Sequence, residues 1–223
     1  MKRLISVGNA FGAASPFSSL FEKTVVLRRG DILEKPITKD DTVIFCGGED
    51  ISPTLYNQKP NRYCGATETL SSRDLWELEM YILAEKAGAS MIGICRGAQL
   101  MCALNGGSLY QHVTNHSGSN HKMTTNEGET IEVCSVHHQM MNPMNTEHEV
   151  LAWATTIIST VHLGEKEKDI PVEIEPEVIY FPKTRGIAIQ YHPEFMNSKE
   201  KGVQYARDLV SKYLLGEYYV RIT

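Results

Sequence analysis

No apolar run in this 223-residue chain approaches the roughly 20 residues a membrane-spanning helix needs, so no helical span is expected. Basic residues are scattered rather than clustered. With 22 Lys and Arg against 27 Asp and Glu the net charge is -5, and the electrostatic footprint of a nucleic-acid binder is missing. Cysteine is sparse. Cys46, Cys64, Cys95, Cys102 and Cys134 are odd in number, irregularly spaced and without a CxxC pair, which argues against a disulfide scaffold and for reduced thiols in a cytoplasmic protein. There is no HExxH, no Cys/His spacing of a zinc site, no internal repeat and no low-complexity tract. His112, His116 and His121 lie in a Gly/Ser/Asn-rich stretch that does not read as one helix, so no metal is expected.

What is present is an ordinary globular balance, 42% hydrophobic and 22% charged, enough to fill the core of one domain over residues 1–223. Met1-Lys2-Arg3 resembles the start of a signal peptide, but Gly8 and Asn9 cut the apolar stretch short of the roughly 7–15 residues required. A first buried strand fits better. Leu4–Val7, Thr24–Leu27 and Thr42–Cys46 are short Val/Ile-rich runs, and strand-like and helix-like segments then alternate, which predicts βαβ units around a mostly parallel sheet. Ser71 and Asp74 stand at capping-box spacing before a helix that should end near Gly88. Its expected apolar stripes are Leu75, Leu78 and Ile82, and Trp76, Met80 and Leu83. Further strands are expected at Thr130–Cys134, Val150–Ala154, Thr156–Val161, Glu177–Phe181 and Gly186–Gln190, with loops at Gln111–Glu129 and Gly164–Pro176. Asn197 or Ser198 should cap a last helix, with Gly216 as its C′ residue.

The chemistry centres on Gly93-Ile94-Cys95-Arg96-Gly97, a Gly-x-Cys-x-Gly set between an apolar strand, Ser90–Ile94, and a helix that runs to Asn105. That is the setting of a nucleophile elbow, in which a tight strand-to-helix turn projects the nucleophile and leaves no room for Cβ atoms beside it. The following helix points its N-terminus at Cys95 and favours negative charge on the sulfur. A thiolate needs a base. Tyr191-His192-Pro193-Glu194 follows the apolar Ile187–Ile189 run, and in an extended segment His192 and Glu194 would face the same way. Glu194 could then fix the ring tautomer that accepts the thiol proton.

Four stretches together resemble the class I (triad) glutamine amidotransferases, most closely their γ-glutamyl hydrolase branch, which includes the γ-glutamyl-aminobutyrate hydrolases. They are Gly47 to Tyr56, Gly93 to Gln99, Ser135-Val136-His137-His138-Gln139, and Gln190 to Glu194, and order and spacing match from about residue 42 to 197. The resemblance implies an α/β three-layer sandwich, flavodoxin-like, with a mostly parallel central sheet. It implies a catalytic triad of Cys95, His192 and Glu194, and an oxyanion hole from the backbone N–H groups of Gly48 and Arg96. Gln99 and Ser135, Val136 and His137 would line the glutamyl pocket, and no metal or organic cofactor would be needed. The implied activity is cleavage of a γ-glutamyl amide of small-molecule substrates through a thioester. The alternative is a glutaminase subunit that feeds ammonia to a separate synthetase or ligase. The chain departs from the family at Gly8–Phe21, where Pro16 and many small residues replace the usual full helix. Arg73 and Asp74 read as a charge pair at a helix start.

Overall fold

The computed structural model describes residues 2–8 and 12–216. In chain order it contains strands β1 (Arg3–Val7), β2 (Lys23–Leu27) and β3 (Thr42–Phe45), then helix α1 (Ser72–Ala87), β4 (Ser90–Ile94) and helix α2 (Arg96–Leu104). Short strands follow: β5 (Ser108–Tyr110), β6 (His112–Val113), β7 (Ser117–Thr125), β8 (Thr130–Val136) and β9 (Met140–Asn142). The remainder is β10 (Glu149–Ala154), β11 (His162–Leu163), β12 (Pro176–Phe181), β13 (Gly186–Ile189) and helix α3 (Lys201–Leu209), which runs on into a wider turn to Leu214.

Nine strands form one sheet in the order β2-β1-β3-β4-β13-β12-β10-β7-β8. The first five are mutually parallel, and the others extend the sheet in antiparallel fashion from β13. The parallel strands are the apolar runs of the sequence, buried on both faces as such strands must be. Ile44, Ile92 and Ile189 point into one core with Phe17, Ala206, Leu209 and Val210. Val43, Phe45, Met91 and Ala188 point into the other with Met80, Tyr81, Ala84, Leu100 and Met101. Helices α1 and α2 thus cover one face and α3 the other, which is the three-layer α/β sandwich expected. Fully burying each such aliphatic side chain contributes about 1.5–3 kcal/mol relative to exposure.

In place of a helix between β1 and β2, the described part holds only a short turn at Ser18–Leu20, as the small residues and Pro16 imply. Ala13, Ala14, Phe17 and Phe21 still cover the α3 side of the sheet, and Arg207 clamps the segment through Pro16 O and Ser19 Oγ, at 3.3 and 2.9 Å. Residues 9–11 lie outside the described part. Among the described residues no helix is long and apolar enough to cross a membrane.

Several local expectations need correction. The Ser117–Thr125 run, expected within a loop, is β7, because pairing with the alternating residues of β8 supplies order that its Ser/Gly/Asn composition does not. Thr156–Val161, expected as a strand, is irregular. The carboxylate of Glu175 takes the N–H groups of Ile158 and Ser159 at 2.8 Å each, in place of a strand partner. The Ser71/Asp74 capping box and the Gly88 C-cap of α1 form as expected. Its buried face is different. Leu75, Ile82 and Leu83 are exposed, and Asp74, Glu77, Met80, Tyr81 and Ala84 are buried. The inward stripe is part ionic, so apolar periodicity misplaces it. Helix α3 starts at Lys201 with Glu200 as N-cap, later than expected, since Asn197 spends its side chain on a turn with the Lys199 N–H at 3.0 Å. Gly216 follows it with φ 69°, as expected of a C′ residue.

Candidate active site

The parallel strands end together at one edge of the sheet, and Cys95 sits there between β4 and α2. Its backbone has φ 49° and ψ -104°, a conformation that non-glycine residues rarely adopt and that costs of order 1–3 kcal/mol. The cost is tolerated because the position is tied on both sides. Cys95 N–H donates to Ile189 O of β13 at 2.8 Å, and Cys95 O accepts from Gln99 N–H at 3.0 Å, which starts the helix. Gly97 permits the turn because a Cβ there would run into the Phe45 backbone of β3, and one at Gly93 would lie 2.5 Å from the Gly97 carbonyl carbon. Gly97→Ala is therefore expected to force β3 and α2 apart, at about 1–3 kcal/mol of overpacking. A denaturant titration reads this directly, and a variant as stable as the parent would show that the elbow has slack.

His192 leaves the end of β13 and is fixed by its own N–H, which donates to Cys134 O at 3.0 Å. Pro193–Phe195 form a single tight turn, so Glu194 reaches the ring within a turn and not along an extended strand as the sequence suggested. The distance from Nδ1 to Glu194 Oε1 is 2.8 Å, with the Glu194 side chain fully buried, and Phe195 stacks on the ring at 4.6 Å between centroids. Nδ1 accordingly carries the proton that Glu194 accepts, and Nε2 is left for the sulfur. Nε2 meets no partner at full hydrogen-bond geometry, yet Cys95 is close enough to act on the ring. Burial opposes charge on His192, but Cys95 and Glu194 outweigh it and push its pKa up to about 10.

A raised histidine pKa stabilises the folded chain below the ordinary value of 6.5, and the contribution is lost as pH rises through about 10. The melting-temperature advantage of the parent over His192→Gln should therefore be greatest near pH 6 and shrink steadily towards pH 10. A difference that stays flat across a pH series of thermal melts would contradict this electrostatic reading of the pair.

The loop after β3 closes the site from the other side. A Cβ on Gly47 would lie 2.9 Å from His192 Cε1 and 3.7 Å from Cys95 Cβ, so Gly47-Gly48 passes directly over the pair. The loop is held by a buried ionic network that sequence reasoning missed. Arg96 is fully buried, and its guanidinium pairs with Glu77 and, at 2.6 Å, with Asp74 of α1. Arg73 pairs with Glu77 at 2.8 Å and donates to the carbonyls of Cys46 and Gly47 at 3.1 and 2.9 Å. The residue after the elbow cysteine thus ties helix α1 to the loop that carries Gly48. Arg73 and Asp74 belong to this network and are more than a helix-start pair. Their spacing to Glu77, i+4 and i+3, was the only available signal.

Of the residues expected to line a glutamyl pocket, Gln99, Ser135 and His137 are buried and engaged by protein. Gln99 Nε2 donates to Gln139 O at 3.0 Å, Ser135 Oγ donates to His116 O at 2.8 Å, and His137 Nδ1 donates to Gln139 O at 2.9 Å. Val136 is 43% exposed. Nearby, His138 Nε2 meets Asp50 Oδ1 at 3.0 Å, a pairing of two motif residues that their sequence separation hid.

A parallel sheet edge that carries an elbow cysteine, a histidine–glutamate pair and a glycine loop defines the class I glutamine amidotransferase fold. The chain matches a glutamine amidotransferase from Thermotoga maritima at TM-score 0.55 and 14% identity, over 95% of this chain and 84% of that one. It matches PurLQS from Thermotoga maritima at TM-score 0.56 and 13% identity, over 92% and 96% of the two chains. At these identities the likeness is one of fold. The chain belongs to the peptidase C26 family, whose sequence pattern matches residues 25–170. It is 38% identical over 81 residues to the glutamine amidotransferase-like protein YvdE of Lactococcus lactis, a stretch that covers 36% of this chain and 34% of YvdE. Matches to the other curated relatives span 33–64% of their lengths. His192 and Glu194 lie beyond the matched residues 25–170, so their assignment rests on motif and geometry.

Proposed function

We propose that this chain is a cysteine-dependent amidohydrolase that cleaves the γ-glutamyl amide bond of glutamine or a γ-glutamyl amine. The observation that carries the reading is the strained Cys95 elbow, facing a His192 whose other nitrogen is held by Glu194 at 2.8 Å. The Cys95 thiol gives its proton to His192 Nε2, and the sulfur attacks the γ-carbonyl to form a C–S bond. The negative charge that develops on oxygen is received by the backbone N–H groups of Gly48 and Arg96. His192 gives its Nε2 proton to the departing nitrogen as the C–N bond breaks, leaving a γ-glutamyl thioester and a free amine. The same nitrogen then takes a proton from water, which attacks the thioester and releases glutamate and the thiol. Gln99 and the Ser135–His137 segment would line the glutamyl group.

The test is glutamate release from a panel of glutamine and γ-glutamyl amines by the purified chain, with an electrophilic glutamine analogue as the labelling probe. Hydrolysis of a γ-glutamyl amine and a label on Cys95 are expected. A label confined to Cys46, Cys64, Cys102 or Cys134 would sink the site. Turnover of glutamine alone, rising sharply with a synthetase or ligase added, would assign the chain to ammonia supply.

A further inference from the structure

Behind the candidate site lies a buried cluster that shares His137 with the proposed glutamyl pocket and whose other members the proposed reaction does not use. It comprises His116, His121, His137, His162, Glu175 and Glu177, brought together from the β6–β7 connection, β7, the residue after β8, β11, the residue before β12 and β12 itself. Both glutamate side chains are fully buried. Their partners are histidines and, for Glu175, the N–H groups of Ile158 and Ser159. Among the described residues neither pairs with Lys or Arg, so their only cationic partners are histidines, and a buried carboxylate without a countercharge costs several kcal/mol.

Three groups in the cluster converge. His116, His137 and Glu177 each offer one atom within 4.8 Å of the others. Each is oriented by a second group, as metal ligands characteristically are. His137 donates its Nδ1–H to Gln139 O at 2.9 Å, since a carbonyl can only accept, so its Nε2 must carry a lone pair, and that nitrogen is buried without a partner. His116 Nε2 lies 3.2 Å from the Glu175 carboxylate without full hydrogen-bond geometry, and Nδ1 faces Glu177 Oε1 at 3.9 Å, with Ser135 Oγ at 3.5 Å. Glu177 is anchored through Oε1 by His121 Nε2 at 2.8 Å, and its Oε2 is buried and unpartnered. The His116 and His137 rings stack at 4.7 Å, which sets the two side by side in the cluster.

We propose that His116, His137 and Glu177 form a binding site for one Zn²⁺ ion. Two imidazole nitrogens and a carboxylate oxygen are a common zinc donor set, with a fourth position left for water. Tetrahedral zinc places its ligand atoms about 3.4 Å apart, so the three groups close by roughly 1 Å when the ion enters. The ion adds a fixed positive charge beside two carboxylates whose only cationic partners among the described residues are histidines. His121, which holds Glu177, also lines a surface cleft of about 540 Å³ with Asn120, Lys122, Thr155 and Ile158, the side from which an ion would enter. The spacing of His112, His116 and His121 argued against a metal. The structure regroups them: His112 stacks on Tyr63 at 4.1 Å, and His116 finds its co-ligands on β12 and just after β8. By holding His137 and the end of β8, the ion would stiffen one wall of the candidate site.

The experiment is zinc titration of EDTA-stripped Cys95→Ser protein by calorimetry, with Co²⁺ as the spectroscopic substitute. The serine variant removes the thiol that could otherwise capture the metal. One equivalent of zinc is expected, weakened at least about 100-fold in His116→Gln and in Glu177→Gln. The cobalt form should show tetrahedral bands without a thiolate charge-transfer band. X-ray absorption on the zinc-loaded Cys95→Ser protein needs no ligand variant to fold, and it should show an N/O shell containing two imidazoles. Failure to take up zinc, uptake indifferent to His116→Gln, or sulfur in the metal shell would each overturn the site. A chain that fails to hydrolyse γ-glutamyl amides leaves this proposal standing, since zinc uptake is read without turnover.

Discussion

Cys95→Ala is expected to lower γ-glutamyl amide hydrolysis by roughly 10⁴–10⁶-fold while leaving the fold in place. The magnitude follows from removing the atom that forms the covalent intermediate: the residual rate then comes only from substrate binding and the oxyanion loop. The fold should survive because alanine is no worse than cysteine at φ 49°, and because the bonds that hold the elbow are made by backbone atoms, Cys95 N–H to Ile189 O and Gln99 N–H to Cys95 O. The other thiols offer no substitute. Burial pushes Cys102 up to about 12, and it raises Cys64 and Cys134 as well, so each is harder to ionise. His192→Ala should cost about as much as Cys95→Ala, and the double variant little more than either, since the two act as one unit. Glu194→Gln should cost less, because it removes the anchor of the ring and leaves the nucleophile and the base. Steady-state kinetics on the best amide substrate, with thermal melts of each variant, check the set. Activity in Cys95→Ala within tenfold of the parent would place the chemistry elsewhere.

The elements that could be read from sequence are those whose signal is local. Short Val/Ile runs become strands buried on both faces, Gly-x-Cys-x-Gly encodes a turn without space for Cβ atoms, and Ser71 with Asp74 is a contact across one helical turn. The His192–Glu194 contact was also anticipated, though for the wrong reason, since a proline-led turn and not an extended strand creates it. What escaped depends on partners that a segment's own composition does not reveal. β7 has little strand propensity and exists because β8 pairs with it. Leu75, Ile82 and Leu83 look like an inward stripe until Arg96, from the next helix, turns the Asp74/Glu77 face inward. The histidines of the Gly/Ser/Asn-rich stretch have no meaningful spacing of their own, because their partners, Glu175 and Glu177, arrive from β12 and the residue before it. For the Asp74/Glu77 face and for the histidines, a buried polar group is explained by a residue at least 19 positions away, beyond the reach of periodicity.

Arg96→Met should destabilise the chain by about 3–5 kcal/mol, because it strands two buried carboxylates. The side chains of Asp74 and Glu77 are 1% and 0% exposed, so water cannot take over the role of the guanidinium. Arg73 still reaches Glu77 but is also committed to the Cys46 and Gly47 carbonyls, and Asp74 keeps only the Ser71 N–H of its capping box. For a chain of this length the loss corresponds to a melting temperature lower by roughly 6–20 °C. Removing the stranded charge should recover part of it: Glu77→Met with Arg96→Met should be more stable than Arg96→Met alone, which a sum of independent contacts would not give. The same substitution reaches the chemistry through position. Once Glu77 and Arg73 are free to shift, the Gly47-Gly48 loop loses its tether over Cys95 and His192. The expected signature is a fall in kcat with KM little changed, since the tether acts on the geometry that receives the developing oxyanion and not on ground-state binding. Chemical denaturation of the parent, the single and the double variant, with kinetics on the folded fraction, separates the two effects. An Arg96→Met chain within 1 kcal/mol of the parent would mean that the network is a by-product of packing and that the loop is held by its backbone alone.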